Sequence, residues 1–158
     1  MAAESTATYR FGDLLALTRQ SWLGQMTSRL ERVGYTDYRR TDAAAMRMLW
    51  RGPLPVGQIG AGLGVTRQAA RKVADGLEQR GYATTERDSR DTRQLNVIIT
   101  QAGRDYTRAI TAVITELNRE VAARVSPAEL AAADTVLRAA LFDDSARQRA
   151  SRVPKPPG

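Results

Sequence analysis

The sequence contains no cysteine and no histidine among its 158 residues. Without cysteine the chain can form no disulfide, zinc finger or thiol redox centre. The missing histidine and cysteine also remove the commonest general base, the thiol nucleophile and most ligands of transition metals. We therefore expect a protein that is not an enzyme, holds no metal and needs no cofactor.

One glycine-rich stretch, residues 60–64, is faintly similar to a dinucleotide-binding loop. The full G-x-G-x-x-G pattern would require glycine where Val65 stands, and no predicted strand precedes the stretch. The stretch therefore does not change the expectation of a non-enzymatic protein.

Long apolar runs are also missing, since none approaches the ~20 residues of a membrane-spanning helix. The first residues, Met1-Ala2-Ala3-Glu4, carry neither the basic start nor the apolar segment of a signal peptide. We therefore expect a cytoplasmic protein.

The 24 lysine and arginine residues of the chain exceed its 17 acidic residues and give a net charge of +7. An excess of this size attracts polyanions, of which DNA is the commonest.

The spacing of apolar residues predicts a mainly α-helical chain with a small β-wing. Helices are predicted at about 9–33, 42–50, 56–63, 67–80, 101–125 and 127–142, and strands at 82–87 and 95–99. Thr66, Thr100 and Ser126 are suitable N-caps for the last three helices. A short helix, a turn, a capped helix and a hairpin, in that order, form a winged helix-turn-helix.

The fourth predicted helix separates an apolar face from a polar face. Ala69, Ala70, Val73, Ala74 and Leu77 fall on one arc, and Arg67, Gln68, Arg71, Lys72, Asp75 and Glu78 fall on the other. A recognition helix enters the major groove with its N-terminus first, and here the cations and the amide come before the acids. Arginine can form a forked pair with guanine, glutamine can do so with adenine, and Thr66 suits a phosphate oxygen. An ordinary solvated helix would also have a charged face, so this helix alone leaves both interpretations open.

The loop between the two strands, residues 87–93, is rich in arginine. A wing that carries Arg90 and Arg93 can place them in a narrow minor groove, although hydrated hairpin tips are often charged for no such reason. We expect Asp88 and Asp91 to support the wing by holding the arginine side chains extended.

The stretch from Val65 to Arg104 resembles the MarR family of bacterial regulators, named for multiple antibiotic resistance. The resemblance extends over residues 10–143 and is carried by the Val-Thr-Arg-Gln helix start at 65–68, Leu-Glu-Gln-Arg-Gly-Tyr at 77–82, Asp-x-Arg-Asp-x-Arg at 88–93 and Ile-Thr-Gln-Ala-Gly-Arg at 99–104. It implies that the helix from Arg67 to Arg80 reads the major groove and that a wing arginine enters the minor groove. The implied DNA-binding residues are Thr66, Arg67, Gln68, Arg71, Lys72, Arg90 and Arg93.

Apolar residues on the long terminal helices exceed what a small winged domain can cover. The set comprises Ile110, Val113, Ile114, Leu117 and Val121 on the fifth helix and Leu130, Val136, Leu137 and Leu141 on the sixth. We expect a homodimer in which residues 9–36 and 101–145 form a helical dimerisation region around a DNA-binding region at 37–100. Residues 1–8 are predicted to be disordered, and residues 146–158 to form a flexible tail.

The resemblance also implies a small aromatic or phenolic effector that wedges between the dimerisation and DNA-reading regions. Trp22, Met26, Met46 and Trp50 are large, adaptable side chains that could line its pocket. The same residue types at helical spacing commonly form an ordinary core.

The sequence therefore predicts a duplex-DNA-binding transcriptional regulator, a repressor that binds a pseudo-palindromic operator as a dimer. The alternative is a nucleoid-type protein that coats DNA with low sequence preference, which would share both the fold and the charge.

Overall fold

A computed structural model describes residues 10–91 and 93–153, and the predictions for residues 1–8 and 154–158 lie outside this range. The chain divides into two compact units, Met1–Tyr38 and Arg39–Gly158. None of the helices in the described residues combines the length and apolar character needed to span a bilayer.

The first unit contains one long helix, α1 (Phe11–Arg32). Met26 and Leu30 are buried, whereas Leu14, Leu15 and Val33, which share its predicted apolar pattern, are at least 41% exposed. The period thus located the helix correctly, and part of its apolar stripe is exposed.

The second unit is mostly helical. Its helices are α2 (Arg40–Leu49), α3 (Val56–Leu63), α4 (Arg67–Gln79), α5 (Gln101–Ala122), α6 (Pro127–Ala139) and α7 (Asp144–Ala150). Thr66, Thr100 and Ser126 cap α4, α5 and α6 as predicted, each accepting a hydrogen bond from a backbone N–H three residues later. Between α3 and α4, Gly64 adopts a left-handed φ of 69°, which closes the turn with little strain.

Three antiparallel strands form the wing sheet in the order β1-β3-β2. They are β1 (Leu54–Pro55), β2 (Ala83–Arg87) and β3 (Leu95–Ile99). The register pairs Ala83 with Ile99 and Arg87 with Leu95, and the short β1 adds the pair Leu54 with Val97. The mainly helical winged helix-turn-helix predicted from the sequence is therefore confirmed.

Two segments differ from the prediction. Leu54–Pro55 lies between two predicted helices, where no strand is predicted, but the two residues pair with β3 and form the third strand. The chain is also helical at Asp144–Ala150, where the sequence predicts a flexible tail from residue 146. Asp143 supplies the cap that starts this helix, because its Oδ1 accepts a hydrogen bond from the Ala146 N–H at 2.7 Å.

Gly103 allows the start of α5 to pack directly on the wing sheet. A Cβ at this position would overlap the carbonyl oxygen of Tyr82 and lie 2.9 Å from the side chains of Ile99 and Met46. Only glycine therefore fits this crossing without displacing backbone, which explains the glycine in the Thr-x-x-Gly motif.

A buried ion pair fixes the end of α4 to α2 and α5. Arg80 donates from Nη1 to Asp42 Oδ2 at 2.8 Å and from Nη2 to Asp42 Oδ1 at 3.2 Å. The Tyr106 hydroxyl donates to the same carboxylate at 3.2 Å. The Tyr106 ring stacks on Tyr82 with centroids 4.3 Å apart. This network sets the orientation of α4, which carries the candidate site.

Candidate nucleic-acid interface

The N-terminal half of α4 presents a polar, cationic face to solvent. Arg67, Gln68, Arg71 and Lys72 are exposed, and Thr66 at the N-cap is exposed with them. On the opposite side, Ala70, Ala74 and Leu77 are at most 1% exposed. The structure therefore brings the sequence-predicted residues of α4 together on one accessible surface.

Arg71 forms an ion pair along this surface. Its Nε lies 2.7 Å from Asp75 Oδ1, one helical turn later, and both side chains are at least 40% exposed. A pair this exposed contributes little to stability. It orients the guanidinium through Nε, while Nη1 and Nη2 are not used in this contact.

Three hydrogen bonds among the described residues join α4 to the wing. Arg67 Nη2 donates to the Arg93 carbonyl oxygen at 3.4 Å. Glu78 Oε1 accepts from both the N–H and the hydroxyl of Thr85 on β2, at 2.9 and 2.8 Å. The predicted groove-reading helix and the predicted wing residue Arg93 are thus directly connected.

The wing turn is held by carboxylates that bind its backbone. Asp88 Oδ1 accepts from the N–H groups of Arg90 and Asp91 at 2.8 and 3.1 Å, and Oδ2 accepts from Asn96 Nδ2 at 3.1 Å. Asp91 Oδ1 accepts from the Arg93 N–H at 3.0 Å. These carboxylates are predicted to hold the arginine side chains, whereas their described hydrogen bonds fix the backbone and leave the side chains of Arg90 and Arg93 exposed.

These hydrogen bonds lower the pKa of Asp88 below its ordinary value. The Arg90 N–H contributes most, followed by the Asn96 amide and the Asp91 N–H. Each donor stabilises the ionised carboxylate. The carboxylate of Asp88 is therefore ionised near neutral pH, the form that accepts these three hydrogen bonds.

A cavity of about 810 Å³ lies between α2 and α5. It is lined mainly by Trp50, polar side chains of α5 and the charged residues Arg47, Arg51, Arg108, Arg119 and Glu116. Arg104 and Arg108 also lie over the Trp50 ring, with Cζ 5.3 and 5.7 Å from its centroid. A cationic, partly aromatic lining of this kind favours a planar anion.

The four residues predicted to line a ligand pocket are placed differently. Trp50 is 41% exposed and lines the cavity, whereas Met46 belongs to the buried core of the second unit. In the first unit, Met26 is buried and Trp22 is half-buried. The arginines of the cavity were missed, although Arg47 and Arg51, like Arg104 and Arg108, stand one helical turn apart in the sequence.

Residues 36–94, which span the helix-turn-helix and most of the wing, match the model of the MarR family. No curated protein sequence matches the chain significantly. Among solved structures, a probable transcriptional regulator from Pseudomonas aeruginosa is similar at 26% identity and a TM-score of 0.68, covering 81% of this chain and 94% of its own.

Two further solved structures share the fold. The S. aureus MepR–DNA complex has 19% identity and a TM-score of 0.73, over 84% of this chain and 97% of that one. Bordetella bronchiseptica BpsR, whose DNA binding is regulated by 6-hydroxynicotinic acid, has 17% identity and a TM-score of 0.71, over 90% of this chain and 100% of that one. The chain therefore matches the MarR family model across its winged helix-turn-helix and shares its overall fold with these regulators.

Proposed function

We propose that this protein is a transcriptional regulator of the MarR family, and that it binds a specific duplex-DNA operator through the exposed face of α4 and through its wing. The observation that carries the proposal is the cluster of Arg67, Gln68, Arg71 and Lys72 at the exposed start of α4, connected to the wing by the bond from Arg67 to the Arg93 carbonyl. This end of a recognition helix is the end that contacts base edges.

The bases are read by side chains that can form two hydrogen bonds with the edge of one base. Arg71 is oriented by Asp75 through Nε, so Nη1 and Nη2 can fork onto guanine O6 and N7. Gln68 can pair in the same way with adenine N6 and N7. Thr66 and Lys72 bind phosphates beside them.

The wing reads groove shape. Asp88 and Asp91 fix the turn backbone, so the arginines they flank, Arg90 and Arg93, start from a defined position. Arginine inserted into a narrow minor groove meets the most negative potential of the duplex. The wing therefore adds affinity and a preference for narrow-groove sequences.

A homodimer would supply the two-fold symmetry of a pseudo-palindromic operator. Val121, near the end of α5, is 41% exposed, and Val136 and Leu137 on α6 are each 49% exposed. Phe142, which follows α6, is 87% exposed. Ile110, Val113 and Leu117 do not contribute, because they are buried within the chain rather than left exposed as the sequence predicts. The dimer contact that we propose is therefore centred on α6 and the adjoining end of α5.

The effector that we propose is a small aromatic acid bound between α2 and α5. Arg47, Arg51, Arg108 and Arg119 would neutralise its carboxylate, and Trp50 would stack on its ring. The likeness to BpsR supports this ligand class. A thermal-shift titration with 6-hydroxynicotinic acid should stabilise the protein, whereas nicotinamide, which lacks the carboxylate, should not. Equal shifts from both compounds would contradict the role of the arginines.

DNA binding that ends when an effector binds is typical of a repressor, and we propose that the protein is one. We also propose that it acts in the cytoplasm and catalyses no reaction. The alternative is a protein that coats DNA through phosphates alone. Side chains that can form two hydrogen bonds with one base, such as Arg71, favour sequence-specific reading, because phosphate binding needs only charge.

The decisive experiment is retention of fragmented genomic DNA on the purified protein at near-physiological salt, followed by sequencing. Recovery of a few loci that share an inverted repeat supports a specific dimeric regulator. Uniform recovery that is lost steeply with added salt supports the coating protein, and no retention contradicts both.

Two alanine variants separate base reading from charge. Arg71→Ala should weaken binding to the recovered locus by about 1–3 kcal/mol and relax base preference at one position of each half-site. Arg124→Ala removes the same charge beyond the far end of α5 and should leave that preference unchanged. An equal loss for Arg71→Ala on random DNA would mean that Arg71 contacts phosphate.

A further inference from the structure

The C-terminal helix α7 is fastened to α6 rather than left as a tail. Arg138 on α6 donates from Nη1 to the Ala150 carbonyl at 2.8 Å and from Nη2 to the Val153 carbonyl at 3.3 Å. From the other side, Arg147 Nε donates to the Leu141 carbonyl at 2.9 Å. These bonds to backbone oxygens hold both ends of α7 in place.

Held in this way, α7 brings an arginine to the turn of the helix-turn-helix. A Cβ placed on Gly64 would lie 2.7 Å from Arg149 Nη1 and 3.2 Å from its Cζ. Gly64 stands two residues before Thr66, the N-cap of α4. The guanidinium of Arg149 therefore lies beside the turn between α3 and α4.

A second arginine of this segment, Arg152, lies nearby. Arg149 and Arg152 line one wall of a groove of about 400 Å³, and residues of α2, β1 and α3, including Met48 and Gln58, line the other. Both arginines are exposed. The C-terminal segment thus places two exposed arginines near the turn that precedes α4.

The neighbouring acids are already engaged at the start of α7. Asp144 pairs with Arg147 at 2.9 Å. Asp143 accepts the cap bonds, and its pKa is lowered first by the Ser145 hydroxyl, then by the Ala146 N–H, with a smaller effect from the charge of Arg149. The described hydrogen bond of Arg149 goes to the neutral Ser145 hydroxyl, at 3.2 Å. Its charge remains suited to an external anion.

We propose that Arg149 and Arg152 bind backbone phosphates of the duplex that α4 reads, making α7 a third DNA-binding element beside the recognition helix and the wing. The inference rests on the proposed function. Phosphate strands flank the ~12 Å major groove on both sides of an entering helix. A cation fixed at the turn before that helix therefore stands next to one of them. Such binding carries no sequence information, so it adds affinity to every duplex alike.

The test is a salt titration of DNA binding with the full-length chain. Wild type, Arg149→Ala, Arg149→Lys and Arg124→Ala are titrated with a mixed-sequence duplex and with the genomic fragment that wild type retains best. Arg149→Ala should reduce the slope of log K against log salt by about 0.9 for each phosphate that the variant no longer neutralises, equally on both duplexes. Arg149→Lys, which keeps the charge, should restore most of the slope.

Arg124→Ala is the matched control. Arg124 lies beyond α5, about 33 Å along the helix from its start at the wing sheet. This variant should keep the wild-type slope. Thermal unfolding of every variant checks that α7 and the turn remain folded. Light scattering checks that Arg124→Ala, which lies beside the proposed dimer contact, keeps the oligomeric state of wild type.

Each other outcome has a defined meaning. If wild type binds neither duplex, the proposed function fails. If wild type binds but Arg149→Ala keeps the slope of Arg124→Ala, the inference alone is wrong. A loss of affinity at unchanged slope would also overturn it, because Arg149 would then only pack against the turn.

Discussion

Replacing Asp42 with alanine should be among the most destabilising single substitutions in this chain. The Asp42 side chain is 1% exposed, and it accepts hydrogen bonds from two nitrogens of Arg80 and from the Tyr106 hydroxyl. Removing the carboxylate takes this counter-charge away from the Arg80 guanidinium, which is only 14% exposed. The end of α4 would then lose the ion pair that joins it to α2.

The expected cost follows from the exposure of the partner left behind. Breaking a buried ion pair by removing one member costs about 3–5 kcal/mol. Arg80 retains some access to water, so we expect the lower end, about 3 kcal/mol, and a fall in melting temperature of roughly 6–12 °C. Tyr106→Phe removes one hydrogen bond to the same carboxylate and should cost about 1.5 kcal/mol.

Chemical denaturation and thermal unfolding measure both effects, with Asp105→Ala as the matched control. Asp105 pairs with Arg108 at 2.6 Å, but both side chains are more than half exposed. Its loss should cost about 0–1 kcal/mol. A cost for Asp42→Ala no larger than that of the control would refute the reasoning.

A double-mutant cycle gives a second check. Arg80→Ala removes the ion-pair partner of the buried Asp42 carboxylate, so each single variant removes the same interaction. The double variant should therefore be more stable than the sum of the two single losses predicts, by about 2–3 kcal/mol. Strict additivity would mean that the two side chains do not stabilise each other.

Three further predictions concern the crossing, the wing and the dimer. Gly103→Ala should cost about 3 kcal/mol or more in denaturation, because its Cβ would overlap the Tyr82 carbonyl; Gly57→Ala, with open space around its Cβ, should be neutral or slightly stabilising. The pKa of the Asp88 carboxyl, measured by NMR titration, should lie below the ordinary 3.8. The stabilisation of the wing by this carboxylate is therefore complete above pH 3.8 and is lost only as the pH falls through the lower pKa of the folded protein. A measured pKa at or above 3.8 would contradict the three hydrogen bonds. Leu137→Glu should convert the proposed dimer to monomer in light scattering, because it would bury a charge where an apolar contact is expected; a wild type that is itself monomeric would rule out the dimer.

Local chemistry allowed most of the elements to be predicted. The caps Thr66 and Ser126, each with its hydrogen bond to the backbone, mark where α4 and α6 begin. The separation of apolar and cationic residues along α4 also indicated which face would be buried. These features act within a few residues of each other, so the sequence contains all the information that sets them.

Contacts between distant segments could not be predicted in the same way. The pairing of Leu54 with Val97 joins residues far apart in the chain, so the dipeptide Leu54–Pro55 gave no strand signal of its own. The helix α7 was missed because its cap, Asp143, stands among polar residues that also suit a tail. Its position is set by Arg138, twelve residues before the carbonyl it binds.

Residue chemistry alone predicted a basic, cysteine-free winged helix-turn-helix and named the residues on the exposed face of α4, because helical periodicity and capping are local. Tertiary structure alone decided which charges meet. In the folded chain Asp42 is buried against Arg80, and Asp88 accepts hydrogen bonds from the wing backbone. Arginines on and next to α2 and α5 line one cavity, and Arg149 lies beside Gly64. Electrostatic contacts depend on distance in space, and the packing of whole helices sets that distance.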